Sequence, residues 1–210
     1  MELILVRHGI TAQNAARVFM GHDPVPLSPE GRGQITRLAG RLREIPFSRL
    51  VTSDIARARE SADIIAAVTG HVVEEAPALR EIDVGEAKGM SYSDAASKWP
   101  EVFAPEAEAR FPGGESFADV ADRSSAWLRR EVLAGAGERT VVVCHGGVVR
   151  GAGARLLGIP LVMVAGFQVD NASLTVLRTQ GSEIGLITWN DVAHLGPAHR
   201  SAAGRSLVGG

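Results

Sequence analysis

Leu3-Ile4-Leu5-Val6-Arg7-His8-Gly9 is a run of branched apolar residues that stops at a cation and an imidazole. The four apolar residues read as a short buried strand. In open α/β sheets ligands bind beyond the carboxyl ends of the strands, so Arg7 and His8 fall where a site would be built. The pattern recurs at Thr140-Val141-Val142-Val143-Cys144, which runs into His145-Gly146-Gly147. Two strands that end in His-Gly imply two imidazoles over one sheet.

Outward from these two runs, short apolar segments alternate with longer helical patterns, the signal of βαβ units. Strands are predicted at Glu2 to Val6, Arg49 to Thr52, Val72 to Glu74, Thr140 to Cys144, Ser173 to Arg178 and Ile184 to Trp189. Helices are predicted at Pro29 to Glu44, Ala56 to Thr69, Phe117 to Leu133 and Val148 to Leu157; Ser28 supplies an N-cap ahead of Pro29. The fold class is α/β, a three-layer αβα sandwich with a mostly parallel central sheet. The last two strands flank Thr179-Gln180-Gly181-Ser182-Glu183 and form a hairpin that places one antiparallel strand at the edge. One domain covers residues 1–195. Residues 81–116, rich in small, charged and proline residues, form an excursion that roofs the carboxyl edge, and 196–210 read as a flexible tail.

Composition narrows the partners. The net charge of −2 and pI near 6.3 leave no electrostatic footprint for nucleic acid. Arg7 interrupts the first hydrophobic run, and no apolar stretch reaches the roughly 20 residues a bilayer span needs. The expectation is a cytoplasmic protein, and the single cysteine, Cys144, is compatible with a reducing compartment. The partners left open are a small-molecule substrate and, at most, a second copy in a homodimer, with no nucleic acid and no membrane.

The residue types point to phosphoryl chemistry. An imidazole can act as a nucleophile and split one hard displacement into two easier steps. Phosphoryl oxygens need neutralising, and guanidinium groups do this with planar, bidentate geometry. Arg7 is the first such group, and Arg57, on the helix after Val51-Thr52-Ser53-Asp54, is the second. A leaving alkoxide needs a proton, for which Glu81 is the best candidate, with Glu75, Asp83, Glu86 and Glu115 as competitors. Adjacent strand residues face opposite sides, so Cys144 reads as a small core residue and not as a partner of His145. The six histidines show no metal-binding spacing, and neither a metal nor a cofactor is expected. His22, in Gly21-His22-Asp23-Pro24, is expected at the pocket mouth against the non-transferring part of the substrate; the competing reading is a solvated turn histidine.

Leu5-Val6-Arg7-His8-Gly9-Ile10-Thr11 with Asn14 resembles the signature of the histidine phosphatase superfamily, to which phosphoglycerate mutases also belong. The resemblance continues in order through Gly21, Asp23, Pro26-Leu27-Ser28 and Gly31, then Ser53-Asp54-Ile55-Ala56-Arg57-Ala58, Leu79-Arg80-Glu81-Ile82, Gly85 and Gly89. It closes with Pro112-Gly113-Gly114-Glu115-Ser116, Val143-Cys144-His145-Gly146-Gly147 and Asn190-Asp191-Val192-Ala193-His194-Leu195. It implies that His8 is the phosphorylated nucleophile, that Arg7, Arg57 and His145 bind the transferring group, and that Glu81 donates and accepts the proton. It further implies phosphate contacts from Asn14 and from the backbone of Gly146. Ile10 and Gln13 depart from the acidic or amide residue and the tryptophan common there, which implies altered substrate contacts.

The mutase branch usually continues Glu-Arg-His into a longer, tyrosine- and basic-rich insertion. Here Ile82-Asp83 follow Glu81 and Tyr92 is the single tyrosine, which favours hydrolysis. The expected function is a cofactor-independent phosphomonoesterase working through a phosphohistidine on His8. The alternatives are a phosphoglycerate mutase and an idle phospho-ligand-binding domain. The mechanism asks for an unprotonated His8 beside a protonated His145, which predicts a bell-shaped pH profile.

Overall fold

The computed structural model describes residues 1–104, 108–134, 139–164, 166–181 and 183–196, so the tail at 196–210 lies, apart from Gly196, outside the described residues. Strands β1 (Glu2–Arg7), β2 (Arg49–Thr52), β3 (Val73–Glu75), β4 (Arg139–Cys144), β5 (Leu174–Gln180) and β6 (Glu183–Asp191) form one sheet in the order β3-β2-β4-β1-β5-β6. The first four run parallel to one another. Helices α2 (Pro29–Arg43) and α3 (Ala56–Thr69) cover one face, and α5 (Phe117–Leu128) and α6 (Gly146–Leu157) cover the other.

This layering explains why β1 is apolar without alternation. Ile4 and Val6 pack with Ile35, Leu38, Ala62 and Ile65 of α2 and α3. Leu3 and Leu5 pack with Val120, Leu128, Val148 and Ala152 of α5 and α6. A strand in the middle of a parallel sheet has no wet face, so both sets of side chains must be hydrophobic. Burying each of these large side chains contributes about 1.5–3 kcal/mol.

The expected three-layer sandwich is borne out, with one correction to the sheet. The antiparallel strand is β5, which lies between β1 and β6, one position in from the edge. Ala172 donates from its backbone N–H to the carbonyls of Arg7 and His8, and Arg7 donates to Ser173 O, so the chain enters β5 beside the carboxyl end of β1. It can then only run downward against β1, and the hairpin returns outward as β6. Two boundaries also shift. The helix expected from Phe117 to Leu133 is α-helical only to Leu128 and passes into a π-helical turn at Arg129–Leu133. Helix α6 begins at Gly146, ahead of Val148, with His145 as its N-cap. Two short helices were not read from the sequence: α1 (Ala12–Ala16), closed by a Thr11–Asn14 capping box, and α7 (Leu161–Val164).

The excursion after Glu81 contributes α4 (Tyr92–Lys98) and several 3-10 turns. It buries a small cluster of Val84, Ala87, Ala95 and Phe111 with Phe19 and Trp99 packed against it. It is therefore tied to the loop that follows β1, through Phe19 and through the Val18–Ser91 bridge.

Close backbone contact fixes that loop from the other side. A Cβ on Gly31 would stand 2.1 Å from the carbonyl oxygen of Ile10, and one on Gly9 would stand 2.5 Å from the carbonyl oxygen of Gly31. Gly40 sits in the same helix as Gly31 with nothing within 4 Å of its added Cβ. Gly31→Ala should therefore destabilise the protein by about 1–3 kcal/mol through overpacking. Gly40→Ala should stabilise it by about 0.5–1 kcal/mol through helix propensity. Denaturant midpoints of the two variants check both signs, and equal shifts would remove the steric account.

Candidate active site

Register brings the two His-Gly segments together. In the β1–β4 ladder Val6 lies opposite Val143 and Arg7 opposite Cys144, and the N–H of His8 donates to Cys144 O at 3.0 Å. The His8 and His145 rings consequently stand 5.2 Å apart, centroid to centroid, at 62°. After β1 the chain departs toward α2 on one face, and after β4 it enters α6 on the other. The carboxyl ends of these neighbouring strands thus bound the crevice where connections diverge, the general ligand position in open α/β sheets.

His8 is held as one tautomer. Its Nδ1 contacts Gly9 O at 2.7 Å, which requires Nδ1–H as the donor. The Nε2 lone pair then accepts from Arg57 Nε at 3.2 Å. Burial, followed by the charges of Arg57 and Arg7, pushes the His8 pKa well below the ordinary imidazole value of 6.5. The ring is neutral and its Nε2 carries an available electron pair. The backbone is fixed as well, because His8 O accepts from Ala172 N and from Asn171 Nδ2.

Arg57 is 1% exposed. Its Nη2 donates to Gly21 O at 2.9 Å and its Nη1 to Asp23 O at 3.3 Å, so the loop before α2 aims the guanidinium at His8. Burial lowers its pKa to about 10, which leaves it cationic at neutral pH. Arg7 donates to Val169 O, while its buried Nε has no hydrogen-bond partner. Arg150, on α6, was not singled out in the sequence. A Cβ on Gly146 would meet Arg7 Nε at 3.4 Å and Arg150 Nη2 at 3.5 Å, so two guanidiniums converge on a glycine. Tyr92 and Glu81 lie within electrostatic range of Arg7, Arg57 and Arg150.

The structure separates Glu81 from its competitors. Its Oε1 accepts from Ile82 N at 3.0 Å, and its Oε2 accepts from Gly147 N, in the first turn of α6, at 3.2 Å. A Cβ on Gly147 would fall 2.3 Å from Glu81 Oε1, so glycine there is a condition for the carboxylate's position. Glu115 is instead paired with Arg123 through both oxygens, at 2.8 and 2.9 Å. Asp83 accepts from Gly85 N, Glu75 pairs with Arg59, and Glu86 is exposed.

His22 is anchored through one ring nitrogen. Its Nε2 contacts the backbone carbonyl of Glu81 at 2.7 Å, and Arg123 Nη2 donates to the same oxygen at 3.0 Å. That ring nitrogen is committed to the segment that carries Glu81, because the Glu81–Gly85 turn passes over the His22 loop. Asn14 is held through its side-chain oxygen. Its Oδ1 accepts from Thr11 N, Thr11 Oγ1 and Asn171 Nδ2, which leaves its Nδ2 as the group to offer a ligand. Asn171, Arg123, Arg150 and Ser53 form the set of site neighbours that sequence reasoning missed. Ser53 Oγ lies 2.9 Å from His145 Nε2, and His145 Nδ1 has no hydrogen-bond partner.

The pairing of a neutral His8 with a protonated His145 is not the state of the free site. Burial, then Arg57, His8 and Arg7, hold His145 well below 6.5 too. A proton on either ring would face two guanidiniums in a dry environment. Cys144 is likewise inert, its thiol pKa raised by burial to a value outside any physiological range. Among the described residues no group of three or more His, Cys, Asp or Glu side chains could hold a metal ion.

The arrangement pairs an uncharged imidazole lone pair with a cluster of cations and an opposing carboxylate, which suits nucleophilic attack on a phosphoryl group. Comparison with known proteins agrees. The family model described as histidine phosphatase superfamily (branch 1) matches residues 3–192, and the chain belongs to that superfamily. Phosphoglycerate mutase-like protein 4 of Arabidopsis thaliana is 37% identical, over 92% of this chain and 86% of its own. The metal-independent phosphoserine phosphatase of the same plant is 37% identical, over 92% of this chain and 83% of its own. Among solved structures, the mycobacterial glucosyl-3-phosphoglycerate phosphatase in complex with VO3 superposes with a TM-score of 0.83 at 29% identity, covering 90% of this chain and 98% of that one. Among the described residues, no helix is long and apolar enough to cross a membrane.

The two depressed imidazoles set an acid limit on stability. Below pH 6.5 the unfolded chain binds protons on His8 and His145 that the folded chain refuses, so stability is undiminished above 6.5 and falls as pH drops below it. The denaturant midpoint should decline between about pH 6.5 and 5, ahead of carboxylate titration. The decline should be shallower in His8→Asn. A midpoint that is flat over that window in the wild type would contradict the depressed values.

Proposed function

We propose that this protein hydrolyses phosphomonoesters of small metabolites through a covalent phosphohistidine on His8. The observation that carries the reading is the His8 ring itself: neutral, fixed by Gly9 O at Nδ1, with its Nε2 lone pair beside Arg57. In the first step Nε2 attacks phosphorus as the bond to the leaving oxygen breaks. Arg57 Nε–H turns from His8 Nε2 to donate to a phosphoryl oxygen, which frees the Nε2 lone pair for phosphorus, and the Nδ1–H bond to Gly9 O stabilises the positive charge that develops on the ring. Glu81 gives its proton to the departing alkoxide. In the second step the Glu81 carboxylate takes a proton from water as its oxygen attacks phosphorus, and the N–P bond breaks to return His8 and free phosphate. Arg7, Arg57, His145, Asn14 and the Gly146 backbone hold the transferring group, and charge neutralisation by guanidiniums makes a metal unnecessary.

His22 and Arg123 support the turn that carries Glu81, and residues 81–116 form the roof over the leaving group. The reading places the enzyme in the cytoplasm as one domain spanning residues 1–195. Mutase activity is the second reading, favoured by the relative named for it. The Glu81–Gly85 segment, pinned by Glu115 to Asp83 N at 3.0 Å and by Asp83 to Gly85 N at 3.0 Å, favours hydrolysis over the longer insertion of the mutase branch. Release of inorganic phosphate from a panel of phosphorylated metabolites with chelator present, set against interconversion of phosphoglycerates, decides between them. Phosphoglycerate interconversion without phosphate release would replace the phosphatase reading.

His8→Ala should abolish turnover with the fold intact. Acid-quenched and base-quenched samples of wild-type enzyme with substrate should show a phosphoenzyme that is acid-labile and base-stable. Substantial turnover by His8→Ala would sink the mechanism.

Glu81→Gln should slow phosphoenzyme formation from alkyl phosphates by about 10²–10⁴-fold, the ordinary contribution of general acid catalysis. An activated aryl phosphate should lose far less, because its leaving oxygen needs little proton assistance. Equal losses in single-turnover rate for both substrates would remove Glu81 from the acid role.

A further inference from the structure

We infer that Ser53 is a positioning residue that fixes His145 as its Nδ1–H tautomer, so that the uncharged ring donates a hydrogen bond from Nδ1 to the transferring phosphoryl group. The inference deepens the phosphohistidine reading and rests on it for the identity of the acceptor. It replaces a protonated His145 with a neutral donor.

The argument is one of hydrogen-bond satisfaction. A serine hydroxyl has one proton to give and two lone pairs to fill, and a neutral imidazole has one donor nitrogen and one acceptor nitrogen. Ser53 and His145 are both 0% exposed, so no bulk water completes either inventory. Ser53 Oγ already accepts from the backbone N–H of Ile55 at 3.3 Å. Its one further contact among the described residues is His145 Nε2 at 2.9 Å. If Nε2 carried the proton, the Ser53 hydroxyl hydrogen would be buried without an acceptor, and Nδ1 would present a bare lone pair to phosphoryl oxygens. With the hydroxyl donating to Nε2, the hydroxyl and Nε2 are both satisfied, and Nδ1–H, which has no hydrogen-bond partner among the described residues, is the donor this pair offers to a ligand.

The serine is well placed to impose this choice. Its N–H donates to Val143 O on β4 at 3.0 Å, and its carbonyl accepts from Thr52 Oγ1 at 3.0 Å. The hydroxyl is therefore carried on backbone locked to the same strand that delivers His145. The charged and titratable groups around His145 are Arg57 from α3, Arg7 and His8 from the end of β1, and His22 from the loop before α2. Each disfavours a second proton on the ring, so donation from a neutral ring is the state compatible with the whole shell.

Long-range proton–nitrogen correlation spectra of the free wild-type protein at neutral pH provide the test, with His145 assigned by comparison with His145→Gln. The expected result is a pyrrole-type Nδ1 and a pyridine-type Nε2. Ser53→Ala should lose this fixed pattern and lower turnover about 10²-fold, the scale for one misplaced donor to a developing oxyanion. Ser53→Thr, which keeps the hydroxyl, should retain the pattern and most of the activity. A pyrrole-type Nε2, or a doubly protonated ring, in the wild type would overturn the inference, as would a folded Ser53→Ala with unchanged tautomer and turnover. The wild-type spectrum decides even where a variant fails to fold. It is recorded without substrate, so a failure to trap phosphate on His8 would count against the phosphohistidine reading and not against the tautomer.

Discussion

The parallel pairing of β1 with β4 is the constraint on which the rest of the structure depends. One residue of slip in that ladder would turn Leu3 and Leu5 toward α2 and α3 and leave Ile4 and Val6 facing α5 and α6. It would also part His8 from Cys144 O, whose bond holds the two imidazoles side by side. The same apolar alternation that specifies the core therefore specifies the site. Register is over-determined, because β1 is gripped on its other edge by β5 and through Ala172, which adopts a left-handed φ of 60° to bond Arg7 O and His8 O. Strained backbone of this kind persists where surrounding contacts hold it, and here it anchors the proposed nucleophile.

Electrostatics explains the composition of the shell around that ladder. Arg7, Arg57 and Arg150 are drawn together with burial opposing their charge, and among the described residues no carboxylate forms an ion pair with Arg57, which instead donates to backbone carbonyls and to His8. Carbonyl oxygens can aim a guanidinium without cancelling its charge, whereas a bidentate carboxylate would neutralise it and compete with an anionic ligand. Where strong ion pairing does occur, between Arg123 and Glu115, it lies one layer out and serves to hold the Glu81 backbone. Arg57 keeps its charge, and Arg123, which supports the turn, is paired.

Much of this was legible in the chain because it depends on local pattern. Leu3 to Val6, Thr140 to Cys144 and the helix from Ala56 to Thr69 announce themselves through unbroken apolar runs or helical spacing, and Ser28-Pro29 marks a helix start that the Ser28 Oγ–Gly31 N bond realises. The position of β5 was not legible, because strand order depends on where the preceding turn lands against Arg7 and His8. The predicted start of α6 at Val148 falls two residues late, because glycine is unfavourable inside helices; in this first turn Gly147 is required by the closeness of Glu81. Ser53, Arg123 and Asn171 act through contacts with residues distant in sequence, and such contacts leave no periodic trace. Ser53 stood beside a strand end in plain view, but its partner lies 92 residues away.

In the proposed mechanism one tautomer serves two opposite tasks at the two imidazoles. His8 carries its proton on Nδ1 because Gly9 O accepts it, which leaves Nε2 as an electron pair for phosphorus. In the proposed arrangement His145 carries its proton on the same atom because Ser53 fills Nε2, which leaves Nδ1 as a donor for phosphoryl oxygen. The difference lies in which nitrogen the neighbour occupies, and both neighbours are carried on fixed backbone: a carbonyl just beyond β1 and a side-chain hydroxyl on the residue after β2. A site built this way needs no proton shift between its imidazoles before attack. It also tolerates the dense positive charge around it, because neither ring must become cationic to bind, and the one ring that gains charge does so only as the N–P bond forms, when the substrate's own negative charge is in place to offset it.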